Sequence, residues 1–333
     1  MSANVARDLT PVDTLEVQVL VDNVTDSLST VPKDVTNEGV VLVRNGSLKM
    51  SAGEYRCCAH HGLSLIITAR AGKEKRTLIF DAGPEAYTVT RNGALLKVPF
   101  ADAGALVLSH GHWDHAGGLV EAVRQVTAMN GGKRVECHVN PGMFVTRGAA
   151  RHSDEVLLQK PVPSVRELAE AGATVVNAPE ARLILDGMFY VSGEIPRVTS
   201  YERGLPGQLK RTADGKSWEP DPFIMDERYV AAHVKGKGIV VFTACSHSGV
   251  VNVLTDARKV FGDAPIYGVM GGFHLSGPEV EGIIPDTVRD LGAFPLQRIV
   301  PCHCTGWRAV HALASVYSEE VLVPAAVGRQ FTF

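Results

Sequence analysis

The chain has 333 residues and lacks the features of several common protein classes. It has no long hydrophobic run. Apolar stretches such as Gly238–Cys245, GIVVFTAC, are of strand length, whereas a spanning helix needs about 20 apolar residues. The opening MSANVARDLTPVDTLEVQVL has no basic stretch followed by an apolar one, so no signal peptide is expected. Charge of one sign is not in excess either. Lys and Arg number 33 against 36 Asp and Glu, a formal net charge of -3. That balance gives no basic surface for nucleic acid or an anionic membrane, and neither partner is expected. A spaced cysteine framework is also missing. Of six cysteines, Cys57 and Cys58 are adjacent and Cys302 and Cys304 flank one histidine. Free thiols in a reducing cytoplasm are the expectation. There is no repeat of fixed period and no low-complexity tract.

What is present is ordinary globular composition, 45% hydrophobic and 21% charged, with strand signals first. TLEVQVLVDN alternates its apolar positions, and GLSLIITAR, RTLIFDAG and GALVLSH follow as short β-rich runs. Consecutive strands without long helices between them predict a mixed or antiparallel sheet. GGLVEAVRQVTAMNGG then places Leu119, Val123, Val126 and Met129 on one helical face and stops at a glycine pair. Helix and strand signals alternate to the C-terminus. Residues 196–228 break the pattern: they are polar, rich in Pro and Gly, and without a period. A stretch this long without regular structure reads as a lid or as a surface insertion.

Four apolar strands end in histidine or acid: LVLSHGHWDH, VVFTACSH, YGVMGGFH and RIVPCH. Rigid strands fix the loops that follow them, so strand ends gather functional side chains. Within HGHWDH, His110, His112, Asp114 and His115 fall in six positions. Imidazole and carboxylate are the usual ligands of zinc and similar divalent ions. Two His at i and i+2 in an extended turn can point at one ion, and Asp114 and His115 can reach a second. A lone buried His is usually a hydrogen-bonded core residue, but burying this whole cluster without an ion would be costly. His247 and His303 extend the ligand set. His274, after a glycine pair, reads as a ligand, proton donor or substrate contact. His60, His138, His152, His233 and His311 have no partner signal and are taken as ordinary residues. Cys302 and Cys304 could ligate zinc, but one C-x-C without a second pair is a weak signal, and they are taken as small strand-end residues.

The H-x-H-x-D-H signature at His110–His115, with the upstream strand ending Asp81-Ala82-Gly83, resembles the metallo-β-lactamase-fold superfamily. HGLSLII, FDAG, SGEIPR, TACSHSGVVN, GGFHL and PCHCTG together resemble its dihydropterin-ribofuranosylaminobenzene-5'-phosphate-synthase-like subgroup. The resemblance implies an αβ/βα four-layer sandwich, two mixed sheets flanked by helices, formed by residues 1–333 as one domain with 196–228 as lid or loop insertion. It implies metal ligation by His110, His112, Asp114, His115, His247 and His303, and a structural role for Asp81. Cys245 and His247 stand where the superfamily commonly has Gly-Asp, so no bridging carboxylate is assigned.

The implied activity is that of a cytoplasmic metal-dependent hydrolase. A metal-bound hydroxide would attack an ester, lactone or phosphoester-type small molecule. Asp114 and His274 are the catalytic candidates. The cofactor is one or two divalent ions, zinc first, with manganese or iron as alternatives. A di-iron oxidoreductase on the same fold ranks lower, because that group tends to carry Glu at the position of His112 and an attached flavin domain. A metal-binding protein without turnover is the remaining alternative. Within 196–228, Arg197, Glu202 and Arg203 are the candidate substrate contacts.

Overall fold

The computed structural model describes residue 6 and residues 8–150 and 155–333. His152 lies outside the described residues.

Two sheets carry the core. The first has eight strands, in the order Val35–Thr36, Gln330–Thr332, Thr14–Val21, Ser64–Ala71, Glu74–Phe80, Ala103–Val107, Val135–Val139 and Ala173–Asn177. It is mixed, as the consecutive strand signals predict. Thr14–Val21, Ser64–Ala71 and Glu74–Phe80 pair antiparallel, and the strands from Glu74–Phe80 to Ala173–Asn177 pair in parallel. The second sheet has six strands: Arg182–Ile184, Phe189–Val191, Val230–Val234, Gly238–Thr243, Ile266–Gly272 and Arg298–Cys302. Its last three run parallel, so all three end at the same edge.

Period-two patterning explains the layering. In Ser64–Ala71, Leu65, Ile67 and Ala69 face the second sheet and pack with Phe189, Val191, Val240 and Phe242. Ile66, from the same strand, packs on the opposite face with Val89, Leu119, Val123 and Val126. Behind the second sheet, Val241, Val269 and Ile299 pack on Val253, Leu254, Val288 and Leu313 of the helices Val250–Phe261, Ile284–Leu291 and Trp307–Ala314. The order helix, sheet, sheet, helix is the αβ/βα sandwich. The helix predicted after the histidine cluster runs Leu119–Met129 and buries Leu119, Val123 and Val126. Met129 belongs to the predicted face but, as the last residue of the helix, is exposed.

Residues 196–228 are more ordered than their composition suggests. They contain the strands Gln208–Arg211 and Trp218–Pro220, which join Arg147–Ala149 and Leu157–Leu158 in a separate four-stranded sheet. The strands are three or four residues long and lack alternating apolar positions. Pattern reading therefore misses them. Among the described residues, no helix is long and apolar enough to cross a membrane.

Candidate metal centre

The strand-end rule builds the centre. Ala103–Val107 from the first sheet, and Gly238–Thr243, Ile266–Gly272 and Arg298–Cys302 from the second, end at one edge. The loops after them carry His110–His115, Cys245–His247, His274 and His303–Cys304. His61, ahead of the strand Ser64–Ala71, arrives from the same edge. Of these, His61, His112, Asp114, Cys245, His247, His274, His303 and Cys304 line a cleft of about 740 Å³, whose wall also includes Trp113, Gln159, Leu205 and Gln208, while His110 and His115 are fully buried.

On one side stand three imidazoles. His110 Nε2 lies 3.0 Å from His112 Nδ1. The His247 ring centroid is 4.8 Å from those of both His110 and His112. One ring nitrogen from each lies within 4.8 Å of the other two. His112 Nε2 and both nitrogens of His247 are buried with no hydrogen-bond partner. Burial, the largest cause, holds His110, His112 and His247 well below the usual imidazole range, so all three are neutral and can donate lone pairs.

On the other side the donors are mixed. Asp114 Oδ2 lies 3.2 Å from His303 Nε2, 3.4 Å from His61 Nε2 and 3.7 Å from His115 Nε2. Burial alone would raise Asp114, but His115, His303 and His112 outweigh it and hold the carboxyl well below its usual range. Burial likewise lowers His303, but Cys304 and Asp114 prevail and push it up to about 9. Cys245 Sγ is 3.4 Å from His115 Nε2 and 3.3 Å from Cys304 Sγ. The His274 ring lies 4.3 Å from that of His247, tilted by 44°, and both its nitrogens are buried without a hydrogen-bond partner.

Buried partners orient this array. Asp81 accepts from Ser109 N at 2.7 Å and Ser109 Oγ at 2.8 Å, and pairs with His115 Nδ1 at 2.7 Å. Asp22 accepts from His303 N at 2.7 Å, and Asn23 Oδ1 meets His303 Nδ1 at 2.9 Å. Asp226 accepts from Gly111 N at 2.7 Å, between the two histidines of H-x-H, and is ion-paired to Arg147. Glu227 accepts from His247 N, Ser248 N and Ser248 Oγ at 2.7–2.8 Å. Its burial raises the carboxyl and those donors oppose the rise. Asp81, Ser246, His274 and His303 all have φ between 48° and 59° or, for His303, 47°. Left-handed backbone costs a side-chain-bearing residue about 1–2 kcal/mol, and such strain concentrates at functional sites.

The structure thus brings together all of His110, His112, Asp114, His115, His247, His274 and His303. Among the described residues, the histidines read as ordinary, His60, His138, His233 and His311, join none of these donor groups. His60 pairs with Glu85 at the surface, and His138 with Glu136 on its strand. Arg197, Glu202 and Arg203 do not line the cleft. Arg197 stacks on Phe223 at 5.4 Å, and Arg203 donates to Ser200 O at 2.7 Å. Buried Glu202 accepts from Val251 N and Asn252 N, both at 2.9 Å, and so caps the helix Val250–Phe261. Sequence reasoning missed His61 and the place of Cys304. His61 precedes a strand instead of following one. Cys304 follows His303 into a short 3-10 turn, and that turn carries its sulfur to the centre while Cys302 stays in the core.

A donor set of this kind defines a class. Residues 61–179 match the sequence profile of the metallo-beta-lactamase superfamily. A solved structure described as a metal-dependent hydrolase of the β-lactamase superfamily superimposes with TM-score 0.66 at 20% identity, covering 95% of this chain and 98% of its own. The fold is the metallo-β-lactamase fold. Two relatives from Methanocaldococcus jannaschii narrow the placement. A 7,8-dihydropterin-6-methyl-4-(beta-D-ribofuranosyl)-aminobenzene-5'-phosphate synthase is 26% identical over 79% of this chain and 86% of its own. An uncharacterised protein is 29% identical over 78% and 89%. The motif resemblance agrees with these matches: the superfamily profile spans residues 61–179, and the relative named as a synthase is similar over 79% of this chain.

Proposed function

We propose that the protein is a metal-dependent hydrolase of an ester-, lactone- or phosphoester-type small molecule, with zinc as the preferred ion. One observation carries the reading: His112 and His247 present buried, neutral, unpartnered ring nitrogens at the floor of an open cleft. Each buried polar atom left unsatisfied costs about 1–3 kcal/mol, and a divalent ion coordinated there removes that cost. The residues fit such an ion. His110, His112 and His247 would hold one, and Asp114, His115 and His303 a second. When bound, divalent ions supply an activated water at neutral pH and polarise a substrate carbonyl or phosphoryl oxygen.

The rest is done by the chain. Asp81 keeps the His115 ring in one orientation by binding Nδ1, which leaves Nε2 free to donate. Asp114 holds a carboxylate toward the second group of donors. His274, in the cleft wall beside His247, is placed to deliver a proton to a leaving group. Among the described lining residues there is no lysine or arginine. Substrate recognition falls to amides such as Gln159 and Gln208 and to Trp113 and Leu205. This favours substrates with little net charge over phosphomonoesters. The whole chain works as one domain in this reading, with Leu205 and Gln208 the part of 196–228 that covers the cleft.

A second reading comes from the relative named as a synthase: group transfer to an organic acceptor instead of water. The test is elemental analysis of protein purified without added metal, followed by turnover on phosphodiester, phosphomonoester and lactone panels with product identification. Metal-free protein that gains no ion on zinc addition would sink both readings. Products joined to a second substrate would favour transfer.

A further inference from the structure

We infer that Cys245 and Cys304 supply sulfur ligation to the ion bound beside His303, which makes that half of the centre selective for thiophilic metals. The inference rests on the metal reading above and concerns two residues to which neither the sequence motif nor the function assigns a role.

The geometry is specific. The two sulfurs lie 3.3 Å apart. Cys245 Sγ is also 3.4 Å from His115 Nε2. One donor atom each from Cys245, His303 and Cys304 fall within 4.8 Å of one another. The same holds for Cys245 with His110 and His115, and for Cys245 with His247 and His274. Cys245 is therefore within reach of donors on both sides of the centre. Both sulfurs line the cleft, and Cys302, two residues before Cys304, does not.

The backbone is shaped around this pair. Gly272 ends the strand Ile266–Gly272, and a Cβ there would come 2.7 Å from Cys304 Sγ and 2.4 Å from Ala244 O. A side chain at 272 would meet the Ala244 carbonyl first and the sulfur next. His303, immediately before Cys304, has φ of 47°, so the chain accepts left-handed backbone to turn both donors inward.

Sulfur changes which ion the site prefers. Thiolate suits zinc, cobalt(II) and iron(II), whereas magnesium and manganese prefer oxygen. On binding, a thiol loses its proton to solvent and the resulting thiolate donates to the ion, with no change of oxidation state. Zinc–sulfur bonds are about 2.3 Å and zinc–nitrogen bonds about 2.0–2.1 Å, so two sulfurs 3.3 Å apart must open slightly around a tetrahedral ion.

The test uses the full chain loaded with cobalt(II), with metal counted per chain and the near-ultraviolet spectrum recorded. The cobalt protein should show a sulfur-to-cobalt charge-transfer band. C245S/C304S should lose that band while keeping the visible bands of cobalt at the three-imidazole side. It should also lose selectivity for zinc over manganese in competition. Either single variant should weaken or shift the band. Wild-type protein that binds cobalt without a charge-transfer band overturns the inference and leaves the metal reading intact. A band that survives in the double variant overturns it as well. Wild-type protein that binds no cobalt or zinc overturns both readings together. Since the first of these outcomes is read on wild-type protein, a variant that fails to fold does not shield the inference.

Discussion

The two sides of the cleft differ in donor chemistry and in the part of the chain that holds them. His110, His112 and His247 offer nitrogen alone, and the backbone around them is fixed by Asp226 and Glu227. Asp114, His115 and His303, with His61, Cys245 and Cys304 beside them, offer oxygen, nitrogen and sulfur. Their anchors, Asp22, Asn23 and Asp81, come from the first strands of the chain. The difference shows what residues 196–228 do. Their carboxylates Glu202, Asp221, Asp226 and Glu227 are buried, and each bonds to a group that shapes the nitrogen side. The segment supports that side from behind as well as contributing Leu205 and Gln208 to the wall. Deleting 201–221 would remove a helix cap and the Arg147–Asp221 ion pair, so excision cannot separate a covering role from a folding one.

The comparison can be broken most directly at a nitrogen donor. His112→Ala should lose an ion and more than about 100-fold in metal affinity, beyond the 10–100-fold cost typical of losing a ligand's hydrogen-bond partner. Elemental analysis of the purified variant checks this, and unchanged metal content would count against the nitrogen side. The next test sets the two sides against each other. Glu227→Gln should weaken the ion at the nitrogen side and Asp81→Asn the ion at the mixed side, each by about 10–100-fold. Chelator titrations that show both variants losing the same ion would collapse the distinction.

Glu202 gives a pH test of the support. Burial raises its carboxyl to about 7, against the hydrogen bonds that favour the charged form. A folded pKa above the unfolded value means the folded state binds the extra proton between about 4.5 and 7. Stability from this group is therefore full below that window and falls as pH rises through it, by up to about 3 kcal/mol. Denaturant midpoints for wild type and Glu202→Gln should diverge across the window, the variant gaining relative to wild type as pH rises. Parallel curves would mean that Glu202 stays ionised throughout. The smallest effect is expected at the cleft wall. Gln159 donates to Gln208 at 2.9 Å and leaves its amide oxygen buried and unpartnered. Gln159→Ala should raise KM by roughly 2–10-fold, the worth of one hydrogen bond, with metal content unchanged. Full-strength binding in that variant would remove the amide from substrate recognition.

Much of the nitrogen side was legible because its histidines follow apolar strands, and strand ends are readable from pattern alone. Asp81 was legible through the resemblance. Glu227 and Asp226 were not, since they lie in a segment without hydrophobic period, where nothing distinguishes a buried carboxylate from a solvated one. His61 shows the same limit from the other direction: it enters the centre from the start of a strand, and its sequence neighbours carry no ligand spacing. Cys304 was hidden by a 3-10 turn of three residues, too short to leave a pattern. In the core, alternation gave the buried face of Thr14–Val21, with Leu15, Val17 and Val19 inside, whereas the short strands of the four-stranded sheet carry too few apolar positions to alternate.

The spread of the donors along the chain has a consequence for assembly. His61 and His303 are separated by most of the sequence, and Gln330–Thr332 pairs with Thr14–Val21 inside the first sheet. Contacts so distant in sequence form slowly, because loop-closure entropy must be overcome before they are rewarded. No subset of the chain short of both sheets can present the two donor groups to each other. An ion that binds only the finished array stabilises it by mass action. Metal uptake after refolding from denaturant should therefore track completion of the second sheet, and it can serve as a clock for the slowest long-range step.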